Sequence, residues 1–193
     1  MKQLEIIKPT VEFRLIDYHL TGAPIINQTR KLKDLSKIFK DVKAFYKMDS
    51  ETLTYTVQAW QPIPEGTPGG LFFGTSTIMP GKVGDEYFMT KGHFHAQSQS
   101  AEFYWGVRGK GTLILMDRTR KTWAEEIYPV SLHYIGAHIA HRLANTGIEN
   151  LIVSACWPSD AGHDYEEIAV NGFSARLLEI NGNAVLVESN DHQ

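Results

Sequence analysis

From about Leu53 onward the chain is cut into short extended stretches by glycine and proline, and few folds tolerate that pattern. Thr54 to Trp60 reads as a strand, Pro62 to Gly70 as a loop, and Leu71 to Met79 as a strand stopped by Pro80-Gly81. Glu86 to Thr90, His93 to Ala96, Glu102 to Val107, Thr112 to Met116, Trp123 to Tyr128, Ser131 to Ile135 and Leu151 to Trp157 continue the series. The last stretches, Ala175 to Ile180 and Ala184 to Glu188, join through Asn181-Gly182, a residue pair suited to a tight hairpin turn. Many short strands at this spacing predict a mainly β protein, either a closed barrel or two packed sheets. Ahead of them, Leu4 to Ile7 and Val11 to Ile16 read as short strands separated by Pro9. Residues 31–46 carry Leu32, Leu35, Ile38, Phe39, Val42, Phe45 and Tyr46 at three- and four-residue spacing. That period predicts one helix with an apolar face and a solvated lysine face.

At 193 residues, without a long repeat or low-complexity tract, the chain fits a single domain. Residues 1–50 would supply N-terminal strands and the helix, and residues 51–193 the β core and C-terminal hairpin. A net charge of −3 gives no strong pull toward nucleic acid or a membrane surface. No stretch is long and apolar enough to span a bilayer, and the N-terminus lacks a basic-then-apolar export signal. The single cysteine, Cys156, lies in the apolar run Leu151 to Trp157. It excludes an intrachain disulfide, and a buried strand thiol is expected there rather than a nucleophile. The expected location is cytoplasmic.

Chemistry concentrates between Thr90 and Gly109. His93 and His95 stand one residue apart, followed by Glu102. On a strand, side chains alternate faces with period two, so both imidazoles point the same way. Two imidazoles on one face can reach one small cation, and a nearby carboxylate can complete part of its shell. Another donor is still needed. Tyr134 to Asn145 offers His138 and His141, which are three apart and so face opposite sides of a regular strand. Only one of them fits the same site.

His141-x-x-x-Asn145 resembles the second sequence element of the cupin superfamily, and His93-x-His95 with Glu102 and Gly109 resembles the first. Two departures stand out: a longer gap from His95 to Glu102, and Gly136 where a proline is usual. Further motifs appear in order: Gly81-Lys-Val-Gly-Asp-Glu-Tyr87, Thr90-Lys-Gly-His-Phe-His95, Glu102-Phe-Tyr104, Gly109-Lys-Gly111, Ala140-His-Arg142 and Asp160-Ala-Gly-His-Asp-Tyr165. Together they are similar to the cupin-type (archaeal-type) glucose-6-phosphate isomerase family, from about residue 70 to 168.

That resemblance implies a cupin jelly-roll β-barrel with an N-terminal extension containing one helix, assembled as a homodimer. It implies one divalent metal per chain on His93, His95, Glu102 and His141. The implied reaction interconverts glucose 6-phosphate and fructose 6-phosphate, in glycolysis and gluconeogenesis. It places phosphate or sugar contacts at Ser76, Thr90, Gly92, Tyr104, His163 and Tyr165. At Trp157 the family carries a tyrosine, and an indole offers one N–H donor and no acceptor.

The residues themselves suit this chemistry. Aldose–ketose isomerisation moves hydrogen between C1 and C2, and a divalent metal can polarise the carbonyl. Glu102 can act as ligand, as the base of an enediol route, or as both; a hydride shift would need it only as a ligand. No Gly-x-x-x-x-Gly-Lys-Ser/Thr loop is present, so hydroxyls and turn N–H groups such as those of Thr90 and Gly92 would hold the phosphate. Glu102 and Tyr104 share strand parity, as do His163 and Tyr165 if extended. His138 is expected in a structural hydrogen bond. Three imidazoles and one carboxylate suit Fe(II), the favoured ion, and also Mn(II), Ni(II), Co(II) or Zn(II). Two alternatives remain: a cupin dioxygenase and a non-catalytic sugar-binding cupin.

Overall fold

A computed structural model describes residues 3–189. The chain begins with a hairpin of β1 (Val11–Arg14) and β2 (His19–Gly22), then β3 (Ile26–Lys31), a 3₁₀ turn (Leu32–Leu35) and α1 (Val42–Lys47). The strands β4 (Leu53–Trp60), β5 (Leu71–Ile78), β6 (Lys82–Val83), β7 (Glu86–Tyr87), β8 (Glu102–Arg108) and β9 (Gly111–Met116) follow. Next come β10 (Thr122–Ile127), β11 (Leu132–Ile135), β12 (Ala140–Asn145), β13 (Leu151–Pro158), α2 (Glu166–Asn171), β14 (Ala175–Ile180) and β15 (Asn183–Glu188).

Two layers make the body. One is a six-stranded antiparallel sheet in the order β11-β8-β13-β5-β4-β3. The other combines β10-β9-β12 with β15-β14-β7-β6, and the bridges Met89↔Ala144 and His93↔His141 lie between them along β12. Among the described residues, hydrogen bonds do not close these sheets into one cylinder. The protein is mainly β, and the two-layer arrangement fits a jelly roll.

Ile78 and Val153 from one layer and Leu113, Leu115 and Leu143 from the other belong to a single buried cluster. Each such side chain stabilises the fold by about 1.5–3 kcal/mol. Asn145 pins the layers together. It is fully buried, its Nδ2 donates to the carbonyls of Ile78 and Glu149 at 2.8 Å each, and its Oδ1 accepts the Gly147 N–H. That explains an asparagine four residues past His141: it fixes the end of the strand that carries the histidine.

The chain departs from the sequence reading in several places. The helix expected over 31–46 is a 3₁₀ turn and a short α-helix, because tertiary partners take the backbone between them. The Lys40 N–H donates to Glu86 Oε2 at 2.6 Å, and the Ile38 carbonyl accepts from Arg176 Nη1. Asp41 then restarts the helix by accepting the Ala44 N–H at 2.8 Å. Leu32, Leu35, Phe39 and Phe45 are buried as the period predicts, but Val42 and Tyr46 are exposed. Leu4 to Ile7 form no strand and stay exposed, and no described residue pairs with them. His93 to Ala96 contribute isolated bridges rather than a ladder. The expected strand from Glu86 shortens to Glu86–Tyr87. The polar strands β2 and β3 and the short helix α2 have no apolar period and were not expected. No helix of the described residues is long and apolar enough to cross a membrane.

Candidate active site

His93 and His95 flank Phe94, whose ring is fully buried, so alternation aims both imidazoles the other way. Reciprocal backbone bonds tie this segment to β12, His93 N–H to His141 O at 3.3 Å and His141 N–H to His93 O at 3.1 Å. The His93 and His141 rings are then 4.4 Å apart. Glu102 enters from the facing layer as the first residue of β8. One ligand atom from each of His93, His95, Glu102 and His141 lies within 4.8 Å of the others. The sequence motifs therefore converge in space.

The surroundings fix which ring atoms face inward. His95 Nδ1 lies 3.2 Å from the Ser100 carbonyl, and His141 Nδ1 lies 3.4 Å from the Ile139 carbonyl. A carbonyl only accepts, so both Nδ1 atoms carry the proton and both Nε2 atoms present lone pairs. Those lone pairs face Glu102 Oε1, at 3.2 Å from His95 and 2.7 Å from His141. The second contact is out of line for a hydrogen bond, leaving the buried His141 Nε2 without a hydrogen-bond partner. Buried lone pairs and a carboxylate crowded together call for a proton or a cation between them. The donor set fits a divalent ion.

Titration follows the same geometry. Burial holds His93 well below the ordinary imidazole value, and the neighbouring His141, His163 and His95 push it further down. For His95, burial pulls downward, but the hydrogen bond and charge of Glu102 outweigh it and raise the value. Burial would raise Glu102, yet the charge and close contact of His141, with the hydrogen bond and charge of His95, drive it down to about 2. Burial, then the charge of Glu102, moves the Tyr104 hydroxyl well upward.

These four residues stand in a cavity of 770 Å³ between the layers, a size suited to a small polar ligand. Ser76, Thr90, Gly92, Tyr104, Trp157, His163 and Tyr165 all line it too. Tyr104 lies 5.5 Å from the His141 ring, so its parity with Glu102 holds. His163 and Tyr165 stack at 5.7 Å with their planes 4° apart, and sit 4.4 and 5.4 Å from His93. Trp157 lies over Gly74, where a Cβ would come within 2.8 Å of the indole. Thr90 Oγ1 accepts the Leu143 N–H at 3.1 Å, which leaves its own proton free to donate. His138 lies outside the cavity, with its ring 3.0 Å from Gln99 Nε2. Cys156 lies between the lining residues Ala155 and Trp157 and is not part of the wall; burial pushes its thiol up.

Some lining residues escape sequence reasoning. Arg30 comes from β3, whose polar run gives no strand signal, and Lys37 from the loop that replaces the middle of the expected helix. Lys91 sits in the Thr90–Gly92 turn. Tyr55 shares inward parity with Val57 and Ala59 on β4, a signal the alternation did contain. Behind the wall, burial and nearby Arg176 bring Arg142 down to about 10, which keeps it charged near neutral pH.

The glucose-6-phosphate isomerase (GPI) family model matches residues 29–193. The glucose-6-phosphate isomerase of Thermococcus litoralis is 39% identical over 162 residues, 83% of this chain and 84% of that protein. That of Pyrococcus horikoshii is 38% identical over 165 residues, 81% of this chain and 87% of its own length. Among solved structures, Bacillus subtilis oxalate decarboxylase at pH 4.6 overlaps with a TM-score of 0.44 at 16% identity, over 57% of this chain and 26% of that one. That overlap is too loose to argue from. The match in sequence is not, and by it the chain belongs to the glucose-6-phosphate isomerase family.

Proposed function

We propose that this chain interconverts glucose 6-phosphate and fructose 6-phosphate, using one divalent metal ion held by His93, His95, Glu102 and His141. One observation carries the reading: ligand atoms from separate segments meet within 4.8 Å inside a cavity whose walls supply hydroxyl, amide and cationic donors. A bound divalent ion would supply Lewis acidity at the substrate's carbonyl and hydroxyl oxygens. Fe(II) is the favoured ion, and Mn(II), Ni(II), Co(II) and Zn(II) suit the same donors. The Thr90 hydroxyl and the Gly92 N–H hold the phosphate, with Ser76 a further hydroxyl lining the same cavity. Tyr104, Trp157, His163 and Tyr165 orient the sugar. In the enediol route Glu102 takes the proton from C2 and returns it at C1.

A second route rests on a specific observation. Glu102 Oε1 lies 3.2 Å from His95 Nε2 and 2.7 Å from His141 Nε2, within the cluster of ligand atoms, which favours its service as a ligand during a hydride shift. Isomerisation in deuterated water separates the two. The enediol route incorporates solvent deuterium at the product carbon, and Glu102→Gln lowers kcat at least about a hundredfold. Deuterium-free product from wild type would assign Glu102 to metal binding alone. A coupled assay with fructose 6-phosphate, before and after chelation and metal return, tests the function as a whole. Oxygen consumption would instead indicate a dioxygenase, and neither signal would leave a sugar-binding protein.

The chain reads as one cytoplasmic domain, without affinity for nucleic acid or membrane. Assembly as a homodimer is supported by the outer face of the six-stranded sheet. Phe103 and Trp105 on β8 and Leu132 and Tyr134 on β11 are all exposed there, on neighbouring strands. Trp105→Glu should convert the dimer to monomer in sedimentation experiments.

A further inference from the structure

Directly behind the turn that carries Thr90 and Gly92 lies a buried charge that the proposed chemistry does not use. Arg142 is only 7% exposed. Its Nη2 donates a hydrogen bond to the Lys91 carbonyl, Nη1 faces Met89 Sδ at 3.3 Å, and the guanidinium packs 4.5 Å from the centre of the Phe173 ring. Its Nε has no hydrogen-bond partner. That atom lies against Gly92, where an added Cβ would come within 3.1 Å of it. The nearby Glu86 answers a different cation, with Oε1 on Arg176 Nη1 at 2.8 Å and Oε2 on the Lys40 N–H at 2.6 Å. Among the described residues, no carboxylate pairs with Arg142.

A buried cation without an anion is expensive, and proteins that keep one have a use for it. The anion cannot come from within the layers, where the acidic neighbour is already committed. It can come from the cavity side, a few ångströms through the turn. There the Gly92 N–H has no partner among the described residues and Gly92 adopts a φ of +75°, which frees the backbone to face a ligand. The Lys91 carbonyl is held by Arg142, which does not line the cavity, and in a trans peptide the Gly92 N–H of the same group points the opposite way.

We infer that Arg142 is a positioning residue for phosphate recognition, in which the buried guanidinium fixes the Lys91–Gly92 peptide and supplies the counter-charge for an anion seated on Thr90 and Gly92. It touches the carbonyl of the turn and not the ligand. The inference rests on the proposed placement of the substrate phosphate and goes beyond it by naming what orders and charges that site.

The test is calorimetric titration of inorganic phosphate into wild type, Arg142→Met and Arg142→Lys, with metal content and unfolding temperature measured for each. For Arg142→Met, the Kd for phosphate should rise at least about tenfold, as expected when a nearby counter-charge is lost and the turn is no longer fixed. Its unfolding temperature without phosphate should match or exceed that of wild type, and phosphate should no longer raise it. Arg142→Lys keeps the charge but loses the fork, and should fall between the two. With substrate, the loss should appear in KM rather than kcat, at unchanged metal content. Wild-type phosphate affinity in Arg142→Met would overturn the inference, as would equal losses in phosphate binding, metal content and kcat. If Arg142→Met does not fold, Arg142→Lys carries the same test, and unaltered phosphate affinity in it is the overturning result. If wild type itself binds no phosphate, the placement of phosphate at Thr90 and Gly92 falls instead.

Discussion

The floor and the rim of the cavity are built differently. On the floor, His95, Glu102 and His141 are exposed by 5% or less, and the histidine nitrogens that face away from Glu102 are tied to backbone carbonyls. At the rim, Tyr165 is 47% exposed, and among the described residues the Arg30 guanidinium hydrogen-bonds only Thr29 O and Gln28 Oε1 beside it in sequence. Floor residues have one geometry available to them. Rim residues can re-aim, and water screens their charge. Chemistry should therefore collapse when the floor is altered, whereas rim substitutions should shift affinity by small factors.

The harshest break of that contrast is His141→Ala. It removes one of the lone pairs aimed at the ion site, and the rate should fall about a thousandfold or more as the Lewis acid is lost. Coupled assay and metal content by mass spectrometry check this together. A folded variant with a full complement of metal and near-normal kcat would show that the floor is not a metal site. Next in size comes Gly92→Ala. Its φ of +75° disfavours a side chain, and the new Cβ would meet Phe173 at 2.8 Å and Arg142 at 3.0 Å. The expected loss is about 1–3 kcal/mol of stability, by denaturant unfolding, with a higher KM. Unchanged stability would mean that the turn is looser than its contacts imply.

The same contrast explains what could be read before the structure. Glu102 and His141 sit in strands, and His93 and His95 in an extended, bridged segment, so the shared aim of His93 and His95, and of Glu102 and Tyr104, followed from spacing alone. His141 was separated from His138 by a family resemblance and not by physics. The reason is now visible: His138 has a φ of +65°, which takes it off the regular strand. Long-range rather than local bonds decide the rest. The helix expected over 31–46 had the right apolar period, but Glu86 and Arg176, far along the chain, captured its middle backbone groups. The freed loop brought Lys37 to the cavity. Arg30 reached the rim because β3, polar from Asn27 onward, is held by pairing with β4. Neither event leaves a local trace in the sequence.

Acid should sharpen the comparison further. Glu102 is depressed from 4.5 to about 2, so its contribution to stability is complete above 4.5 and lost as the pH falls toward 2. His93 is depressed from 6.5, so keeping it neutral favours the fold above 6.5, and that contribution is lost as the pH falls through its lowered value. His95 runs the other way: its raised value adds stability below 6.5 that is lost as the pH rises through that value. Because the metal needs neutral imidazoles, the rise in unfolding temperature on metal addition should be largest near pH 7.5 and shrink to less than about half by pH 5.5. Scanning calorimetry of metal-free and metal-loaded protein across that range measures it. A metal-induced rise independent of pH would mean that the ion binds without displacing protons, away from these rings.

The smallest effect belongs to the rim. Lys37 lines the cavity but is exposed, with no ion pair among the described residues, so its charge acts on the substrate through water. Lys37→Ala should raise KM by about two- to threefold at low salt, the size of a screened surface interaction, and leave kcat unchanged. Raising ionic strength to about 0.5 M should erase the difference between variant and wild type, because the Debye length then drops below the reach of that charge. Steady-state kinetics at two salt concentrations suffice. A tenfold or salt-resistant rise in KM would place Lys37 in direct, desolvated contact with the phosphate. The division between a committed floor and an adaptable rim would then have to be redrawn, with part of the rim as rigid as the metal site.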